Sequence, residues 1–193
     1  MANVAAPYGM YPRRVRGSQR YTNGGTFFPV TVNDANPIWW GAPCALVAGS
    51  LKALTASPTT TGSANSPVGT LAEAVWLEGC CSPFHSYLPA NAVTLYGPGV
   101  GGLVMDDPGL VFMIQADATL DLTAVGKNAA LVNVGAGNAF TKRSTCALGA
   151  STVALTATLA VRIIRVLDPG ALFPDCLVQW NGSVHQYVNG FAA

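Results

Sequence analysis

An all-β fold, a sandwich or barrel of short strands with one short helix and an extended N-terminal arm, is what this 193-residue sequence predicts. Three observations carry that reading. Apolar residues alternate or cluster in short, strand-length runs. Turn residues separate those runs at short intervals. Residues 1–25 are rich in Pro, Gly and Arg.

The arm comes first. Pro7, Gly9, Pro12, Gly17 and the Gly24-Gly25 pair exclude a regular helix. Arg13, Arg14, Arg16 and Arg20 all precede the first acidic residue, Asp34, so the first 33 residues carry +4 in a chain whose net charge is +1. Residues 1–25 therefore read as an extended basic arm and residues 26–193 as a nearly uncharged β-rich domain. An arm with so little aliphatic content is expected to be poorly ordered alone and to gain order against a partner. Its candidate contacts are Tyr8, Tyr11, Arg13, Arg14, Arg16, Arg20 and Tyr21: arginines for carboxylates or carbonyls, tyrosines for buried contact area. Deleting residues 2–20 is expected to leave the domain folded and to weaken only its attachment.

The domain is then read element by element. Thr26 to Val32 is aromatic and β-branched, and Pro29 makes it an edge or arm strand. Asn33 to Pro37 is a turn, after which Ile38-Trp39-Trp40 begins a new apolar element. Ser57 to Pro67 is an uncharged loop, followed by a strand over Val68 to Leu77. Ala92 to Tyr96 reads as a strand closed by Gly97-Pro98-Gly99, and Val111 to Asp117 as another behind the Pro108-Gly109 turn. Leu159, Val161 and Ile163 share one strand face, with Arg162 opposite among Ala160 and Ile164. Cys176, Val178 and Trp180 alternate with Asp175, Leu177 and Gln179, and Asn181-Gly182 predicts a hairpin into Val184 to Val188. The one helix is expected from a cap at Asp117 or Thr119 through Leu122 and Val125, ending at Gly126.

Charged residues are 10% of the chain, against about 25% in an ordinary soluble domain, and the mean hydropathy is +0.36. No apolar run is long enough to span a bilayer, since Arg162 and Arg165 cut the stretch from Leu155 to Leu167, and no membrane association is expected. No signal peptide is visible, because the arginines follow the apolar start and Pro7 and Pro12 interrupt it. A weakly charged body has little to oppose association, so burial in a permanent assembly is expected. The five cysteines, Cys44, Cys80, Cys81, Cys146 and Cys176, form no CxxC pair and read as reduced, buried thiols.

Residue patterns that carry chemistry are weak. Asp106-Asp107 precedes Pro108 and reads as a turn. Glu73 and Glu78 flank an apolar strand without a fixed separation, so an acid–base pair acting on a glycan is only an alternative. Cys80, Cys81 and His85 lack zinc-site spacing and a fourth ligand, and His185 is isolated. No G-x-S-x-G elbow occurs, and Gly97 to Gly102 and Gly135 to Gly137 lack the ending of a phosphate loop and read as flexible turns. Asn181-Gly182-Ser183 matches a glycosylation acceptor but reads as a turn. The expectation is a non-enzymatic protein with no metal or cofactor. For the arginine cluster a protein partner is favoured over nucleic acid, since four charges give weak, non-specific phosphate binding and no basic stripe continues into the domain.

Three segments together resemble small virion structural proteins of tailed bacteriophages, found with the head genes and regarded as capsid decoration (cement) proteins. They are Ala6-Pro7-Tyr8-Gly9 through Asn23-Gly24-Gly25, Val104 to Pro108 through Gln115-Ala116-Asp117, and Asp175 through His185-Gln186-Tyr187. The resemblance implies a β-rich homotrimer on the capsid exterior, assembled in the host cytoplasm and bridging subunits of the major capsid protein. Another head or head–tail connector subunit is the nearest alternative. A glycan-binding or glycan-cleaving β-domain, through Trp39, Trp40, Trp76 and Trp180, is the alternative of another class.

Overall fold

The computed structural model describes residues 4–15, 25–58, 67, 69–76, 87–97 and 99–186, with the backbone alone described for Arg14, Val15, residues 69–76 and Tyr96. The chain is mostly antiparallel strand. From the N-terminus come β1 (Tyr11–Val15), β2 (Thr26–Pro29), β3 (Ile38–Trp39), β4 (Pro43–Val47), β5 (Ser50–Ala53), β6 (Gly69–Trp76) and β7 (Tyr87–Leu88). The helix α1 (Ala92–Tyr96) precedes β8 (Val100–Met105) and β9 (Leu110–Gln115). The chain continues with β10 (Asn128–Ala129), β11 (Leu131–Val132), β12 (Gly137–Asn138), β13 (Arg143–Ser144), β14 (Ala147–Leu148), β15 (Val161–Val166) and β16 (Asp175–Trp180).

Two five-stranded sheets organise these elements, in the orders β1-β9-β16-β15-β10 and β2-β8-β6-β4-β5. Neither closes on itself among the described residues. Each covers its own apolar cluster. Phe112 and Ile114 of β9, Val161 and Ile163 of β15 and Cys176, Val178 and Trp180 of β16 face the first, which Leu131 and Leu148 of the β11–β14 pair complete. Leu46, Leu51, Val100 and Val104 build the second, with Ile38 and Leu88. Burial of each such side chain contributes about 1.5–3 kcal/mol.

The β8–β9 connection joins the sheets through the turn expected at Asp106-Asp107-Pro108. Gly109 N–H donates to Asp107 Oδ1 at 2.6 Å and Leu110 N–H to Asp107 O at 3.0 Å. The alternation in β16 is as the sequence predicts, with Cys176, Val178 and Trp180 buried and Asp175, Leu177 and Gln179 half-buried. Pro29 lies in β2 at a sheet edge, where its missing N–H costs no ladder bond. Cys44, Cys146 and Cys176 are buried; Cys80 and Cys81 lie outside the described residues, as do His85, Glu78 and most of the Ser57 to Pro67 loop.

Several expectations are corrected. Ala92 to Tyr96 is helix, not strand: Leu95 N–H donates to Asn91 O and Gly97 N–H to Val93 O. Tertiary bonds decide it, since Asp34 O accepts the Asn91 N–H and Asn33 Oδ1 the Thr94 N–H. The helix expected after Asp117 is only a 3-10 turn, Leu122–Ala124, although Gly126 follows it with φ +85°. Asp117 instead accepts the Ala150 N–H, tying a distant loop. Ala160, expected beside Arg162 on the outer face, is buried just ahead of β15.

Val100, Gly101 and Gly102 are strand rather than flexible turn. A Cβ at Gly101 would run into the Phe28 carbonyl and the Phe27 ring, so the glycine lets β2 lie close. Asn181-Gly182 does turn the chain, but residues 184–186 form no return strand. They deliver Gln186 to β4. Its carboxamide accepts from Leu46 N–H and donates to Leu46 O, both at 2.9 Å, where β6 has ceased to pair.

A candidate contact surface around the N-terminal strand

The N-terminal residues meet their own chain. β1 pairs antiparallel with β9, Tyr11 opposite Met113 and Val15 opposite Leu110, with a bulge between Pro12 and Arg14. Met10 is fully buried in the first core and its N–H donates to Gly41 O at 2.9 Å. Ala6 N–H donates to Gln115 Oε1, and Gln115 Nε2 donates to Val4 O. Over residues 4–15, the arm expected to lie on a partner is an edge strand of the domain. Its apolar Met10 and its backbone groups find partners there, which residue-type counting did not register.

Arg16, Arg20 and Tyr21 lie outside the described residues. The segment holding them begins after Val15, opposite Leu110, and ends at Gly25, before Thr26 opposite Val104. The described strands on either side of it thus pair with β9 and with β8. Of Arg14 only the backbone is placed, opposite Val111.

The other expected contacts divide. Tyr8 is half-buried, its hydroxyl donating to Asp175 Oδ1 at 2.8 Å, and burial followed by that hydrogen bond raises its pKa well above the usual phenol value. It is a structural anchor. Tyr11 and Arg13 remain at the surface and join a cation–aromatic group built on residues 38–40. Trp40 N–H donates to Lys142 O and Ser144 N–H to Trp40 O, so this short extended segment is held between β13 and, through the Trp39–Tyr87 pairing, β7.

Successive residues of an extended segment face opposite ways, and two stacks result. In one, Trp39 stacks on Tyr87, centroids 5.2 Å apart and planes at 11°, with Lys142 Nζ 4.6 Å from the Tyr87 centroid. In the other, the Tyr11 ring is 5.5 Å from Trp40, Arg143 Cζ stands 4.9 Å from the Trp40 centroid, and Arg13 Cζ is 5.3 Å from that of Tyr11. Three cations thus rest on aromatic faces, an arrangement that fixes long side chains and leaves their outer N–H donors to meet anionic groups.

The β12–β13 hairpin carries this group to its most exposed point. Asn138 Oδ1 accepts the N–H groups of Phe140 and Thr141, Lys142 N–H donates to Asn138 O, and Lys142 takes a left-handed φ of +59°. These bonds define a tight loop whose tip, Phe140, is 98% exposed. A cleft beside it runs between residues 5–8 and the hairpin, lined by Tyr8, Asn138, Thr141, Arg143 and Thr145. The sequence signal for this site was Lys142-Arg143, the only pair of adjacent basic residues outside the arm.

The surface is built from aromatic and cationic side chains. Among the described residues no group of three or more His, Cys, Asp or Glu is placed to hold a metal ion. Burial raises the thiols of Cys146 and Cys176 to about 12, and that of Cys44 further, so these sulfurs stay protonated and poorly nucleophilic. Of the tryptophans considered as a sugar platform, Trp180 is buried against Phe112 and Trp39 is covered by Tyr87 and Gly137. The side chain of Trp76 lies outside the described residues, as does that of Glu73. Comparison with protein-family models, with curated proteins and with solved structures returned no match.

Proposed function

We propose that this chain is a structural, non-enzymatic virion protein of a tailed bacteriophage, attached to the capsid exterior as a decoration or cement protein that bridges subunits of the major capsid protein. The observation that carries the reading is the pre-ordered surface of Phe140, Trp40, Tyr11, Arg13, Lys142 and Arg143: aromatic and cationic, on a chain otherwise poor in charge. Aromatic residues and arginine dominate the energetics of protein interfaces. A small rigid contact repeated over many copies adds up, because linked contacts must break together. Self-association, as a homotrimer, belongs to the same proposal and would bury further apolar surface.

The test is binding of purified protein to empty capsids. Occupancy should scale with the number of capsomers, and Phe140→Ser combined with Arg143→Glu should abolish it without changing the unfolding midpoint. Occupancy of a single ring of copies at one vertex would favour a connector subunit. Absence of binding would sink the capsid reading.

A further inference from the structure

The outer face of the β1-β9-β16-β15-β10 sheet has a regular distribution of charge that shares only Tyr11 and Arg13 with the proposed contact surface. Registers place Arg14, Val111, Gln179 and Arg162 in one row across four strands. The neighbouring row on that face is Tyr11, Met113, Leu177 and Arg165. Arg13, in the β1 bulge, reaches the same side, its Nη2 donating to Met113 Sδ at 3.1 Å. Arginines therefore occupy β1 on one flank and β15 on the other, with Val111, Met113, Leu177 and Gln179 between them.

This is a trough with a floor and two walls. Met113 and Leu177 are half-buried and form the accessible apolar floor, while Val111 beside them is buried. Arg13, Arg162 and Arg165 are exposed. No carboxylate stands in either row; Asp175, one position beyond, accepts the Tyr8 hydroxyl. Residues 4–6 close that end over Gln115. Three inter-strand steps separate the walls by about 14 Å, and an α-helix with its side chains is about 10–12 Å across.

We propose that this trough docks an acidic amphipathic helix of a partner protein. Its apolar stripe lies on Met113 and Leu177, and its flanking carboxylates pair with Arg13 on one side and Arg162 and Arg165 on the other. Guanidinium groups bind carboxylates bidentately, and the walls address both flanks of one helix at once. Nucleic acid fits less well: the net charge of +1 gives little phosphate attraction. The proposal does not rest on the capsid reading, and the residues varied in its test, Arg162, Arg165 and Leu177, lie outside the capsid contact surface.

The full-length protein is titrated, by fluorescence anisotropy, against a labelled 18-residue helical peptide with a Leu stripe flanked by Glu, its Glu→Gln counterpart, and a single-stranded oligothymidylate. The acidic peptide should bind in a salt-sensitive manner and the Glu→Gln peptide should not. Arg162→Gln with Arg165→Gln should weaken binding by about tenfold or more. Leu177→Glu, on the half-buried floor, should abolish it, with unchanged thermal unfolding as the control for folding. No binding of the acidic peptide, or equal binding by the arginine variants, overturns the proposal. Tighter binding of the oligothymidylate, lost in the same variants, overturns it in favour of a nucleic-acid surface.

Discussion

The Tyr8 hydroxyl donates to Asp175 Oδ1 at 2.8 Å, joining residues 167 positions apart and fastening the N-terminal segment to the central strand β16. With Met10 buried in the core and β1 paired to β9, this segment is part of the domain. Tyr8→Phe is expected to lower stability by about 1 kcal/mol, the net worth of one hydrogen bond, read as a fall in urea midpoint at constant slope.

Deletion of residues 2–20, expected from sequence to be harmless to the fold, is predicted to be severe. It removes Met10, uncovers Phe112 and Ile114, and strips β9 of an edge partner. Truncated protein should be insoluble or show a broad, early unfolding transition. A truncated protein that unfolds with the full-length midpoint would contradict the assignment of residues 4–15 to the core.

Gly9 and Gly41 mark where the N-terminal strand crosses the turn before β4. A Cβ on Gly9 would lie 2.8 Å from Gly41 O and 2.9 Å from the Ser144 Cβ, and its φ is +80°. Gly49 has a similar φ of +75° but nothing within 4 Å. Both Ala substitutions carry the backbone strain of about 1 kcal/mol, and Gly9→Ala adds a clash with backbone. Gly9→Ala should therefore be the more destabilising by about 1–3 kcal/mol. Equal losses in denaturant titrations would show that the crossing relaxes freely.

How much of this was legible follows from range. β15 and β16 could be read because alternation is local: one side of each strand meets the core and the other meets solvent. Pro29 marked its edge strand for the same reason. The helix at Ala92–Tyr96 could not be read, because five residues with three β-branched or aromatic members take their conformation from Asn33 and Asp34. Tyr11 and Arg13 were recognised as contact residues, yet their partners Trp40 and Arg143 are brought together only by the fold. The trough was invisible for a related reason. Arg162 and Arg165 fall on one face only because the β15 bulge between Ile163 and Arg165 shifts the alternation by a residue.

Gln186 substitutes for a strand. Its carboxamide pairs with both backbone groups of Leu46, and its own N–H donates to Pro67 O. Gln186→Ala would leave a buried N–H and a buried C=O without partners, a loss expected to be about 2–4 kcal/mol. Gln186→Glu should be worse, because a carboxylate cannot donate to Leu46 O. Hydrogen exchange at the Leu46 amide, fast in both variants and slow in the native protein, is the direct check.

Alkaline pH should unfold the protein through its thiols. Burial holds Cys146 and Cys176 protonated to about 12, and Cys44 is raised by burial and secondarily by the charge of Asp106. In the unfolded chain thiols ionise near 8.5. Above that pH the unfolded state binds fewer protons than the folded state, so stability falls as pH rises. The contribution is fully present below about pH 8.5 and is lost progressively toward 12, with each thiol able to cost about 1.4 kcal/mol per pH unit. Tyr8, raised by burial and by its bond to Asp175, adds to the slope above about pH 10. Urea midpoints should be level between pH 7 and 8 and then drop through pH 9 and 10, less steeply in Cys146→Ala, once its own cavity cost is subtracted at pH 7. A level profile to pH 10 would show that the thiols ionise as readily in the folded protein as in the unfolded chain.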